Sequence, residues 1–149
     1  MTTYLIDTNV LLRFVKADDR DYSVVRSAIS RLWVAGDELF YTSQNLAEFW
    51  STCTRSVERN GYGLTIAEAD RRARLIEEQF SLLVDSSLVH KIWRELVVVH
   101  AVSGVQVYDA RLVAAMSVHQ ISNILTFNTR DFVRYSQITA IAPEALVGT

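Results

Sequence analysis

The stretch TYLIDTNVLLRF, residues 3–14, joins an apolar run to a carboxylate and then to a second apolar run. Tyr4, Leu5 and Ile6 read as a buried strand, and Val10, Leu11, Leu12 and Phe14 as the start of a helix. Asp7 stands at the junction. A helix cap explains it locally, because Asp at the N-cap satisfies backbone N–H groups that have no partner within the helix. Whether that is its whole role depends on the acidic residues elsewhere in the chain.

With 149 residues, half of them hydrophobic and 21% charged, the chain suits one compact domain over residues 1–149 and excludes a disordered one. No apolar run approaches the roughly 18 residues of a membrane span, and no signal-peptide pattern opens the chain, so a cytoplasmic location is expected. The single cysteine, Cys53, has no partner for an internal disulfide and reads as a small core residue. The net charge of −2 excludes a general polyanion binder. It does not exclude nucleic acid, because four carboxylates gathered on a metal would leave the remaining surface positive.

One proline and five glycines leave no room for a flexible linker. Leu39 to Tyr41 reads as a short strand feeding a helix capped by Thr42 or Ser43, with Leu46, Phe49, Trp50 and Cys53 on its apolar face. NGYGL is a turn, and TIAE after it is a capping box, Thr65 with Glu68. The helix it starts turns Ile66, Ala69, Ala73, Ile76 and Phe80 inward and Arg71, Arg72, Arg74, Glu77 and Glu78 to other faces. A helix after Asp85 buries Val89, Ile92, Trp93 and Leu96. GVQVYDARLVAAMSVH gives a further helix, SNILTF a strand, NTRDF a turn and QITAIA a last strand before Pro143. Strands alternating with helices predict an α/β fold, a three-layer α/β/α sandwich around a central parallel sheet. Ligands of such sheets sit beyond the carboxyl ends of the strands, where Asp7 and Asp131 fall.

Asp109 is the most informative of the acidic residues. Helical spacing places it on the stripe of Leu112, Val113 and Met116, where an unpaired carboxylate is costly. The helix dipole offsets only about 0.3–1 kcal/mol of that cost, which leaves a capping role as the weaker explanation. Glu48 flanks the Phe49–Trp50 stripe and is expected to be half buried. Two carboxylates 4 Å apart repel by about 4 kcal/mol at an effective dielectric of 20. Four at one sheet edge therefore call for a cation, and oxygen ligands alone select Mg²⁺ or Mn²⁺. His90, His100 and His119 fall at no ligand spacing and read as surface or helix-end groups.

LIDTNVLL, SQNLAEFW, VYDARLVAAM and ILTFNTRDF together resemble the four acidic motifs of PIN-domain ribonucleases, in order and across nearly the whole chain. The nearest group is the VapC-like toxins of toxin–antitoxin pairs. The resemblance implies a parallel sheet between helices and metal-dependent endonucleolytic cleavage of RNA. It assigns Asp7, Glu48 and Asp109 to the three most regular acidic positions and Asp131 to the more variable fourth, which Asn128 would share through a water. Thr8 corresponds to a hydroxyl lining the site, and Arg130 is a candidate phosphate contact. Val105 and Tyr108 depart from the pattern, which has a basic residue and a histidine there. The resemblance also implies a homodimer and an antitoxin partner, for which the arginine face of the 65–80 helix and the Trp50–Cys53–Val57 end of the preceding helix offer a surface.

The chemistry that follows is in-line attack of water on an RNA phosphodiester, assisted by one or two Mg²⁺ or Mn²⁺ ions. Asp7 would be the central ligand with Asp109 beside it, and Glu48 and Asp131 would complete the set. A phosphatase using Asp7 as nucleophile is the rival enzyme, but it needs a second Asp two positions on, where Asn9 stands. A catalytically silent interaction domain with this fold and a DNA-directed nuclease are the remaining alternatives; the metal site does not itself distinguish the 2′-OH.

Overall fold

In the computed structural model, which describes residues 1–148 and leaves Thr149 outside the described residues, the alternation of side chains along short strands sets the layers. The strands β1 (Thr3–Ile6), β2 (Glu38–Thr42), β3 (Ser81–Leu83), β4 (Asn123–Leu125) and β5 (Thr139–Ile141) all pair in parallel, in the order β3-β2-β1-β4-β5. Tyr4, Ile6, Leu39, Tyr41 and Leu125 point to one face and join one core cluster. Leu5, Phe40 and Ile124, at the intervening positions, join the core on the other. Both faces are apolar, as an all-parallel sheet requires.

The helices complete the sandwich. Val10 and Phe14 of α1 (Thr8–Phe14), Val25 and Ile29 of α2 (Tyr22–Val34), Phe49 of α3 (Ser43–Thr54) and Ile76 of α4 (Ile66–Gln79) fill the first face. Each such side chain contributes about 1.5–3 kcal/mol by leaving water. On the second face α6 (Gln106–Val118) presses Leu112, Val113 and Met116 onto the sheet and turns Ala114 and Ala115 to Val89 of α5 (Ser87–Val99). Enclosed between sheet and α5, α6 is apolar nearly all round. A last turn, α7 (Pro143–Leu146), packs on α2. Among the described residues no helix is long and apolar enough to cross a membrane.

Several local expectations hold. Thr42, rather than Ser43, caps α3, and Thr65 with Glu68 forms the capping box of α4. Cys53 is buried and free. Others are corrected. Ile66 is 64% exposed, because the first turn of α4 overhangs the part that packs on the core. Arg72 is half buried rather than on the solvent side, Arg74 pairs with Asp70, and the burial of Cys53 interrupts the apolar surface expected between Trp50 and Val57. Helix α2 and strand β3 had no counterpart in the sequence reading.

The link from α3 to α4 folds back against the end of α3. There the Gly61 N–H donates to the Ser56 carbonyl and the Gly63 N–H to the Arg55 carbonyl. A Cβ on Gly61 would meet the Arg55 carbonyl oxygen at 2.0 Å, so the close approach requires glycine. Gly61→Ala is expected to destabilise the protein by about 1–3 kcal/mol. A denaturant titration checks this, with a lower midpoint at unchanged slope as the expected result.

Candidate active site

The carboxyl ends of β1, β2 and β4 lie side by side, with β1 in register with both neighbours. The chain leaves β1 toward β2 and returns to β4 on the opposite side of β1, a topological switch point where open sheets leave a crevice. Asp7 follows β1 there. Its N–H extends the ladder by donating to the Leu125 carbonyl at 3.0 Å. Its Oδ1 accepts from the Thr8 N–H at 2.8 Å, so Asp7 does cap α1. Its Oδ2 accepts from the Thr126 hydroxyl at 2.8 Å and from Asn9 Nδ2 at 3.4 Å. Cap and site are therefore one residue, with one carboxylate oxygen in each role.

Glu48 is reached from the other strand. Thr42 and Asn45 close a buried capping box at the start of α3, in which the Thr42 N–H and hydroxyl both donate to Asn45 Oδ1. Asn45 Nδ2 then donates to the Thr8 hydroxyl at 3.1 Å, and that hydroxyl donates to Glu48 Oε1 at 2.7 Å. Gln44 Nε2 donates to Glu48 Oε2 at 3.2 Å and to the Tyr108 carbonyl at 2.9 Å, tying α3 to the first turn of α6. Glu48 is half buried, as its spacing predicts.

Asp109 sits in the first turn of α6 beside buried Leu112 and Val113, and it is half buried rather than enclosed. The capping alternative fails for it: Val105 is the N-cap, and no side chain caps this helix. Asp131 lies in a 3₁₀ turn, Thr129–Phe132, beyond β4. Asn128 and Arg130 in the same segment are exposed, and the Asn128 N–H donates to the Thr126 hydroxyl at 3.0 Å.

The charges act on one another. Burial pushes the Asp7 carboxyl up to about 6, against the pull of Thr126 and the Thr8 N–H, and Glu48 and Asp131 raise it further. Burial, followed by repulsion from Asp7, Asp131 and Glu48, raises Asp109 to about 7. The charges of Glu48 and Asp131 thus reach both Asp7 and Asp109, and that of Asp7 reaches Asp109. The donors are hard oxygens. His119 ends α6 at the pole opposite Asp109, His100 packs on Tyr135, and His90 is exposed on α5. Among the described residues no three acidic, histidine or cysteine side chains converge closely enough to cage an ion as they stand. The donor set fits a divalent cation in kind, and its mutual repulsion is the cost that a cation's charge offsets.

Sequence reasoning missed Thr126, Asn9, Asn45 and Gln44. Thr126 had one local signal, since it follows β4 as Asp7 follows β1. Gln44 stands one helical turn before Glu48 and Asn9 two residues after Asp7, spacings that could have found them, whereas Asn45 reaches Thr8 through a contact that no spacing along the chain reports.

Fold and site together define an α/β/α protein with an acidic, oxygen-only crevice at the switch point of its sheet. The chain belongs to the PIN-domain family, whose model matches residues 4–138. No curated protein matches its sequence. Among solved structures, VapBC2 from Rickettsia felis bound to a promoter DNA fragment aligns with a TM-score of 0.72 at 12% identity, over 95% of this chain and 98% of that one. VapBC-1 from nontypeable Haemophilus influenzae aligns with a TM-score of 0.72 at 15% identity, over 95% and 98%. Mycobacterium tuberculosis VapC20, described as a sarcin-ricin loop cleaving toxin, aligns with a TM-score of 0.61 at 18% identity, over 89% and 95%.

The raised carboxyls make stability depend on pH with a definite sign. Asp7 and Asp109 hold protons more tightly folded than unfolded, so their favourable contribution is complete below about pH 4 and is lost as pH rises through about 6 and 7. In chelator, the melting temperature is therefore expected to fall between pH 5 and pH 8 relative to Asp109→Asn. Asp109→Asn should melt at least as high as the parent at pH 8, and scanning calorimetry at the two pH values checks both expectations.

Proposed function

We propose that this chain is a metal-dependent endoribonuclease and the toxin of a toxin–antitoxin pair. One observation supports the nuclease reading most: Asp7 lies at the end of the central strand, and Glu48 and Asp131 act on both the Asp7 and the Asp109 carboxyls, raising their hold on protons. The toxin reading is supported by the near-complete overlap of this chain with proteins from VapBC complexes and by family membership.

In this reading Asp7 and Asp109 hold the ion, with Glu48 and Asp131 beside them. A bound Mg²⁺ or Mn²⁺ supplies positive charge to the scissile phosphate and makes water a nucleophile at neutral pH. The chain supplies position. Thr126 and the Thr8 N–H fix both oxygens of Asp7, so its orientation does not depend on a ligand. Asn45 orients the Thr8 hydroxyl, which in turn fixes Oε1 of Glu48. Arg130, exposed on the 3₁₀ turn, is a candidate contact for a substrate phosphate, and exposed Asn128 at the start of that turn would share the role of Asp131 through a water.

A ribonuclease of this kind damages its own cell unless it is held in check, so the reading includes an antitoxin; family membership and the lone buried cysteine add a homodimer and a cytoplasmic location to it. Exposed Arg71 and Arg74, with Leu75 directly after Arg74, give an antitoxin segment charged and apolar contacts on α4.

Purified protein is expected to cleave RNA with Mg²⁺ or Mn²⁺ and to stop in excess EDTA. Asp109→Asn should lower the rate at least a hundred-fold while the fold persists. Cleavage that survives EDTA in nuclease-free preparations contradicts the metal reading. Co-purification with the neighbouring gene product, and inhibition by it, tests the toxin assignment separately.

A further inference from the structure

An open cleft of about 430 Å³ runs along α3, outside the carboxylate crevice but sharing Glu48 with it. Ala47 and Ser51 line it together with Gln44, Tyr108 stands on its α6 side, and Arg55 stands at the end of the helix. Glu48 and Ser51 are three residues apart and share one face of α3, and Arg55, the residue that ends the helix, lines the same cleft. From Glu48 to Arg55 the helix rises about 10 Å. A chain lying in the cleft with one end at Arg55 therefore has its other end at the carboxylates.

Both ends of this cleft are built into the fold. The Tyr108 carbonyl is held by Gln44 Nε2 at 2.9 Å, and the Tyr108 residue is 57% exposed. Arg55 is held by its backbone, whose carbonyl accepts from the Gly63 N–H at 2.8 Å, and Gly61 packs against it where no larger residue fits. Its guanidinium is exposed and makes a hydrogen bond to the Asn60 carbonyl at 3.3 Å. The cleft thus offers one aromatic surface and one cation, with Ala47, Ser51 and Thr52 between them and the Glu48 carboxylate at the end away from Arg55. An amphipathic helix needs an unbroken apolar stripe, which Ser51 and Arg55 interrupt. A stacked base and a phosphate need what is present.

We propose that this cleft is a nucleotide subsite for single-stranded RNA, in which a base next to the scissile phosphate stacks on Tyr108 and a phosphate farther along the strand meets Arg55. The proposal rests on the nuclease reading. Stacking is indifferent to base identity, so the subsite sets a preference for unpaired strands rather than for a sequence.

The test combines cleavage with binding. For cleavage of a short random-sequence single-stranded oligoribonucleotide pool, Tyr108→Ala is expected to raise KM about ten-fold or more at nearly unchanged kcat. Tyr108→Phe and Tyr108→Trp should restore the parental KM. Fluorescence anisotropy with the same labelled pool, on the Asp109→Asn background, should show the matching loss of affinity. Arg55→Ala should lower the slope of log affinity against log salt by about 0.7. Parental KM and affinity in Tyr108→Ala, with RNA still cleaved, overturn the subsite and leave the nuclease reading intact. Loss of inhibition by the neighbouring gene product without loss of RNA affinity also overturns it, and makes the cleft a protein-docking surface. If the parental protein neither binds nor cleaves RNA, the nuclease reading fails and the subsite with it.

Discussion

The carboxylate of Asp7 is buried at the end of the central strand, and much of the local structure exists to make that tolerable. An ion withdrawn from water costs several kcal/mol unless hydrogen bonds replace its solvation. Thr126 comes from the neighbouring strand end, the Thr8 N–H from the start of α1, and Asn9 links Asp7 to the segment after β4. The charge therefore ties the ends of β1 and β4 together. Bonds fix its geometry, and the same burial leaves it with a raised affinity for protons.

Around that anchor the fold gathers further negative charge. Glu48 arrives on α3, Asp109 on α6 and Asp131 on the turn after β4, each carried by an element that packs on the sheet through apolar side chains. Packing energy from Phe49, Leu112, Met116 and Phe132 is thus what brings like charges near one another. Such a site is unfavourable by itself, and the proposed cation would offset that cost. That relation between stability and function is the expected one for a site that does chemistry rather than support the fold.

Much of this was legible in the sequence for physical reasons. Runs such as Tyr4–Ile6 are apolar on both faces because the sheet is covered on both, and Thr65 with Glu68 marks a helix start by local chemistry alone. The acidic residues stood out because Asp109 continues an apolar stripe and Asp7 and Asp131 follow strands. Strand β3 did not show although Leu82, Leu83 and Val84 form a short apolar run, because Phe80, directly before Ser81, continues the helical spacing of α4 and no turn residue separates the two. Ile66 misled because helical spacing cannot say how far the partner surface extends. Nor does spacing report the bond from Asn45 to Thr8, or that from Thr126 to Asp7, which join residues far apart in the chain.

The central claim is that the four carboxylates form one cation site, and calorimetric titration of the chelator-treated protein with Mn²⁺ tests it most directly. The account predicts saturable binding that raises the melting temperature, with affinity lowered at least ten-fold in Asp109→Asn and in Asp7→Asn. Absence of saturable binding, or binding unchanged in both variants, would contradict it.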